Sequence, residues 1–299
     1  MSNMNHDMKN QSKWQIGFLH KKIIILARVI SQWLIELMVL FAIPKVFKMH
    51  RNVVFFTRDK KNVALDIFQP DSQDLAPIVM MIHGGGFVGG DKRHIERSSR
   101  LFAQQGFLVF NINYRLAPEH AYPVAIQDCE DAFAWIKKNA SQYRGDISRV
   151  CVGGASAGAY LAACLAINKQ SGKQESDFSA VLLLNGCFDV DMTYHSQFPQ
   201  AKFLVKCFLQ EKTHDKETRH QASPLNFINE QYPKTFIGVG SKDSLLEQSH
   251  ALRDKLQACK VSVSYYEYLD SNHGWFSWFW TNNAKQAHQD MLSWLKQAV

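Results

Sequence analysis

Val150-Cys151-Val152-Gly153-Gly154-Ala155-Ser156-Ala157-Gly158-Ala159-Tyr160-Leu161-Ala162-Ala163 is the stretch that decides the fold. It opens as a short β-branched run of strand character and closes as a run of small and apolar residues of helix character. Between the two, Gly154 to Gly158 reads G-x-S-x-G. A strand, a sharp turn and a helix in that order lift a serine hydroxyl out of a sheet and aim a helix N-terminus at it. The same five-residue pattern also occurs in plain tight turns. The strand before it and the helix after it are what single out Ser156 as a nucleophile.

Working outward, short apolar runs alternate with helical stretches. Residues 53–56 and 63–68 read as an opening antiparallel pair, ended by Pro70 and Asp71. Runs at 78–82, 108–113, 150–153, 181–185, 236–239 and 261–268 are apolar over most of their length, as expected for strands covered on both faces. Helical patterns fall between them, for example at 125–139 and 157–168. Alternating β and α predicts an α/β fold with a mostly parallel central sheet and helices on both faces. Residues of about 189–222 break the rhythm, being polar and aromatic with no strong strand, and are expected to form an inserted helical cap. The predicted organisation is an apolar, basic N-terminal helical segment over 1–49 and a catalytic domain over 50–299.

His83-Gly84-Gly85-Gly86-Phe87 follows the run at 78–82. Consecutive glycines leave backbone N–H groups unobstructed. Gly85, Gly86 and Ala157 are the expected donors to a developing oxyanion. A serine nucleophile of this kind takes its acid and base from later in the chain, in the order Ser, Asp/Glu, His. Asp243 follows the run at 236–239, and His273 follows the last strand, in Asn272-His273-Gly274-Trp275. Both sit at C-terminal strand ends, where open α/β sheets build their sites. His83 precedes the nucleophile and is expected to fix its loop rather than to act as the base.

The chain has 299 residues, is 46% hydrophobic and 20% charged, and carries a formal charge of +7. That composition excludes disorder and a many-span membrane protein. Residues 1–61 hold eleven Lys/Arg against three acids, so the remainder is close to neutral. A near-neutral body argues against nucleic acid as a partner. The six cysteines show no C-x-x-C pair and no zinc spacing, which predicts a reducing compartment and no metal.

Residues 23–43 are nearly all apolar and end at Pro44. Arg28, Gln32 and Glu36 would form one narrow polar stripe on a helix. Its apolar residues favour insertion by roughly 4–8 kcal/mol. Its two charges oppose insertion by roughly 5–7 kcal/mol. Three placements stay open: packed on the body, lying in a membrane interface, or spanning once. A cleaved signal peptide is not expected. The expected location is cytoplasmic, with membrane-surface association through residues 1–61 if the helix does not pack on the body.

Taken together, these residues resemble the α/β-hydrolase superfamily, in its bacterial hormone-sensitive-lipase-like esterase branch, over about residues 50–299. The resemblance rests on the His83–Phe87 glycine loop, Tyr114-Arg115-Leu116-Ala117-Pro118-Glu119-His120, Tyr122-Pro123, the Ser156 turn, Ser223-Pro224-Leu225, Asp243 and His273-Gly274. It implies a Ser156/His273/Asp243 triad and no cofactor. It also implies a small-molecule ester substrate with a short to medium acyl chain, and a structural loop at Tyr114–His120 with Arg115 paired to Glu119. There are two departures. Ala155 stands where the branch usually has an acid, and Ser244-Leu245-Leu246-Glu247 keeps only the outline of the usual sequence after the acid. An amidase or deacetylase with the same triad, a non-catalytic ligand-binding member of the fold and a lipid-surface protein are the alternative readings. The aromatic run Trp275-Phe276-Ser277-Trp278-Phe279-Trp280 is expected in the core, with an acyl pocket or lipid contact as the alternatives.

Overall fold

The structure, a computed structural model, describes residues 48–58, 61–167, 177–196 and 200–299, with Ile23, Ile24, Leu26 and Ile30 besides. Strands β1 (Lys48–Arg58) and β2 (Lys61–Gln69) form an antiparallel pair, and β2 pairs antiparallel with β4 (Leu108–Ile112). With β3 (Ala76–Ile82), β5 (Gly145–Ala155), β6 (Ala180–Leu184), β7 (Lys234–Gly240) and β8 (Val263–Tyr268) they make one eight-stranded sheet. The strand order is β1-β2-β4-β3-β5-β6-β7-β8, parallel from β4 onward. The helices are α1 (Glu96–Gln104), α2 (Val124–Asn139), α3 (Ala157–Ala166), α4 (Val190–His195), α5 (Ala201–Leu209), α6 (Lys216–Gln221), α7 (Leu246–Ala258) and α8 (Asn282–Ala298).

The unbroken apolar runs of the central strands follow from burial on two faces. Along β3, Ile78, Met80 and Ile82 join one apolar cluster while Val79 and Met81 join another. The same alternation runs through β6, where Val181 and Leu183 face one way and Leu182 and Leu184 the other. This is the period of two that a strand imposes. The first face is covered by α2, α3 and α7, through residues such as Cys129, Phe133, Leu161 and Leu252. The second is covered by α1 and α8, through Phe102, Met291 and Leu295. Each fully buried side chain of this size contributes roughly 1.5–3 kcal/mol. The mostly parallel sheet with helices on both faces is the architecture that the sequence predicts.

Register places the site. Ile82 lies opposite Gly154, Ala155 opposite Leu184, and Gly240 opposite Tyr268. The C-terminal ends of β3, β5, β6, β7 and β8 are therefore level, and the residues just beyond them gather at one edge. Four short helical segments and turns between β6 and β7 carry α4, α5 and α6.

One expectation is corrected. Among the described residues no helix is long and apolar enough to cross a membrane, which overturns the expected cytoplasmic location with a membrane attachment through the N-terminal helix. The longest described helix, α8, has 17 residues and carries Lys285, Asp290 and Lys296. At 1.5 Å per residue it falls short of a hydrocarbon core of about 30 Å. Most of residues 23–43 lies outside the described residues. Within that stretch Ile24 is buried with the first apolar cluster, while Ile23, Leu26 and Ile30 are exposed.

The aromatic run divides. Trp275 and Phe276 are buried in the second cluster, with Trp275 4.2 Å from Tyr268 between ring centroids. Trp278 and Trp280 are exposed and stack on each other. All six cysteines are free thiols, five of them buried.

Candidate active site

Ser156 stands between the end of β5 and the first residue of α3 with φ 54° and ψ −119°. A side chain other than glycine held at positive φ costs on the order of 1–3 kcal/mol. The surroundings hold it there. The Ser156 N–H donates to Leu184 O at 2.8 Å, and the Tyr160 N–H donates back to Ser156 O at 3.1 Å. Gly158 permits the tight approach: a Cβ there would fall 2.0 Å from Ile82 O and 2.6 Å from His83 O. The start of α3 is thus pressed against the end of β3 and the glycine loop that follows it. Ala157 begins α3, so its N–H has no acceptor within the helix.

The structure brings Ser156, His273 and Asp243 together. Ser156 Oγ is 3.0 Å from His273 Nε2. His273 Nδ1 is 2.9 and 3.0 Å from the two carboxylate oxygens of Asp243. The ring nitrogen facing the carboxylate donates, which leaves Nε2 to accept the serine proton. Asp243 is buried and is itself oriented by the Leu245 N–H, which donates to Oδ1 at 2.8 Å. A fourth residue joins them that no local pattern announced. Asn185, the first residue after β6, places Nδ2 3.3 Å from both ring nitrogens of His273. Only the pairing of β6 with β5 and β7 brings it there.

The glycine loop is braced from below. His83 is buried, its Nδ1 is 2.7 Å from Gly84 O, and its ring stacks on Tyr114 at 4.3 Å. Burial lowers its pKa to about 4, so it is a neutral ring fixed in the loop. Tyr114 donates its hydroxyl to His83 O, and the Ala117 N–H donates to Phe87 O at 2.9 Å. The Tyr114–His120 stretch therefore supports the loop. Its ion pair is not the expected one. Arg115 pairs with Asp128 of α2, at 2.6 Å through Nη2 and 2.9 Å through Nε, and its own N–H donates to Asp128 Oδ2. Ala155, in the position where an acid was expected, is buried in the second apolar cluster. A carboxylate there would need a partner.

Ser156 and His273 open onto a cavity of about 370 Å³. Its walls are mostly apolar, among them Phe87, Val190, Leu204, Val205, Phe208 and Leu245. Phe87 and Phe208 stack at 4.1 Å, which ties α5 to the glycine loop. The segment before α4 is held by Gln248 of α7. Its Oε1 accepts the N–H groups of Phe188 and Asp189, and its amide donates to Asp189 O and Thr193 Oγ1. Asp189 in turn caps α4. The arrangement can move a proton from a hydroxyl to an imidazole beside an apolar cavity and unobstructed backbone N–H groups.

Residues 79–277 match a protein family described as alpha/beta hydrolase fold. Among known proteins, the probable carboxylic ester hydrolase LipM of Mycobacterium tuberculosis is 30% identical over 225 residues, covering 70% of this chain and 52% of that protein. Esterase LipC of the same organism is 28% identical over 243 residues, covering 75% of this chain and 60% of its own length. The chain thus spans about half the length of the curated relatives it matches. Among solved structures, the Pyrobaculum calidifontis esterase superposes with a TM-score of 0.81 at 21% identity, covering 92% of each chain.

Proposed function

The chain belongs to the α/β-hydrolase superfamily, and on that premise we propose that it is a serine hydrolase of carboxylic esters with short to medium acyl chains. Ser156 attacks the ester carbonyl while His273 takes its proton, and Asp243 holds the imidazole tautomer and stabilises the imidazolium. The N–H groups of Gly85, Gly86 and Ala157 receive the charge that develops on the carbonyl oxygen. The alcohol leaves with the proton from His273, and water then cleaves the acyl-enzyme by the same route.

One observation carries this reading: the 3.0 Å contact between Ser156 Oγ and His273 Nε2, with Asp243 behind the ring, at the mouth of an apolar cavity. The relatives support ester over amide, since the matched proteins are named for ester hydrolysis. Residues 189–222 are read as a cap over that cavity, because α5 supplies Leu204, Val205 and Phe208 to its wall.

The test is turnover of p-nitrophenyl butyrate and of a matched amide by the full-length chain and by Ser156→Ala. Ester turnover that falls by at least about 10³-fold in the variant supports the assignment. A variant with near-full rate refutes it, and faster cleavage of the amide would move the reading to an amidase.

A further inference from the structure

We propose that Asn185 is a positioning residue for His273: its carboxamide seats the imidazole and favours the neutral, proton-accepting ring. The proposal rests on the serine-hydrolase reading above.

The two ring nitrogens of His273 are already engaged, Nδ1 by Asp243 and Nε2 by Ser156. Those contacts lie at opposite ends of the ring and leave it free to rock about the line joining them. Asn185 Nδ2 stands 3.3 Å from each nitrogen. Equal distance from both means that the amide lies along neither nitrogen's in-plane lone pair. It is a third contact, made off that line, and it restricts the rocking. An N–H group set against an imidazole favours the neutral ring over the imidazolium.

The local structure is consistent with a residue kept for this contact. Asn185 is 1% exposed, its backbone has φ 41°, and its N–H donates to Gly238 O at 2.8 Å. Its Oδ1 is buried and has no hydrogen-bond partner among the described residues. Buried carboxamides are ordinarily satisfied at both ends. An apolar side chain would fill the space without that cost, so retaining the amide points to the end that touches His273.

The titratable groups around the ring are few. Asp243 faces it from the loop after β7. Cys187 lies on the wall of the same cavity, and burial pushes its thiol up to about 12, so it stays neutral. From α3 the ring meets the uncharged Ser156. A change in the titration of His273 on altering Asn185 therefore reads this one contact.

Two full-length variants test it. Asn185→Asp keeps the shape and tolerates positive φ, but replaces an N–H donor with a carboxylate. Asn185→Gly removes the amide and relaxes the backbone. The titration of His273 is followed by NMR of its ring carbon in histidine-labelled protein, beside the pH–rate profile with p-nitrophenyl butyrate. In Asn185→Asp the His273 titration and the acid limb of kcat/KM both move up by roughly one unit or more. In Asn185→Gly kcat falls by roughly tenfold while KM stays within about twofold. His273 titrating at one and the same pH in all three proteins overturns the proposal. If the wild-type chain hydrolyses no ester, the enzymatic reading fails on its own, and the NMR titration still decides the Asn185 contact.

Discussion

Leu204 of α5 rests against Gly86 so closely that a Cβ built on the glycine would fall 2.9 Å from both of the leucine's methyl carbons. The helix between β6 and β7 and the proposed oxyanion loop are thus one continuous wall beside Ser156. An acyl chain bound to Ser156 would have to pass along that wall.

Leu204→Ala removes most of the side chain at the narrowest point. Over an acyl series from p-nitrophenyl butyrate to decanoate, the ratio of kcat/KM values should shift toward the longer chains by at least about tenfold, since a methylene or two in an apolar pocket is worth 10–200-fold. A ratio equal to that of the wild type would mean that the chain does not run beneath α5.

Gly86→Ala meets two obstacles at once: φ is +59°, and the new Cβ collides with Leu204. The loop must shift, and the N–H groups of Gly85 and Gly86 shift with it. Turnover should fall by roughly 10²–10³-fold, the usual loss for one oxyanion donor, with KM little changed. Steady-state kinetics on a folded variant, checked by circular dichroism, measures this.

The sheet was readable in the sequence because burial on both faces leaves unbroken apolar runs, and strands such as β3 and β6 show them directly. Ser156, Asp243 and His273 stand out because each follows a strand of that kind, and strand ends are level in a parallel sheet. Asn185 follows β6 in the same way, yet an asparagine in a turn has no local feature to separate it from many others. The partner of Arg115 was misread because a residue four positions on meets it only in a helix. The 114–120 segment is a loop tied to Phe87, and the guanidinium reaches across to Asp128 on α2. The aromatic run has no periodicity, so it gave no sign that Trp275 turns inward while Trp278 and Trp280 face outward.

Asp128→Ala should destabilise the fold by about 3–5 kcal/mol, because it leaves the Arg115 guanidinium without its carboxylate. Both side chains are nearly inaccessible, at 8% for Arg115 and 0% for Asp128. Chemical denaturation at neutral pH gives the number. A loss under about 1 kcal/mol would place the pair among the exposed kind.

Stability should fall on the acid side through His83. Burial lowers its folded-state pKa to about 4, while the unfolded value is about 6.5. Between these values the unfolded chain binds more protons than the native one, so unfolding becomes easier as pH drops from about 6.5 toward 4. The two and a half units correspond to about 3 kcal/mol. His94 and His288 are lowered by burial too and act in the same direction. Denaturation midpoints from pH 7 to 4 should decline less steeply in His83→Gln than in the parent chain.

The central claim is that Ser156 is made nucleophilic by His273. Its most direct test is labelling with a fluorophosphonate, followed by peptide mapping of the adduct. The account predicts a single phosphonyl group on Ser156, formed at least about 10³-fold more slowly in His273→Ala. An unlabelled Ser156, or one labelled at the same rate without the imidazole, would contradict it.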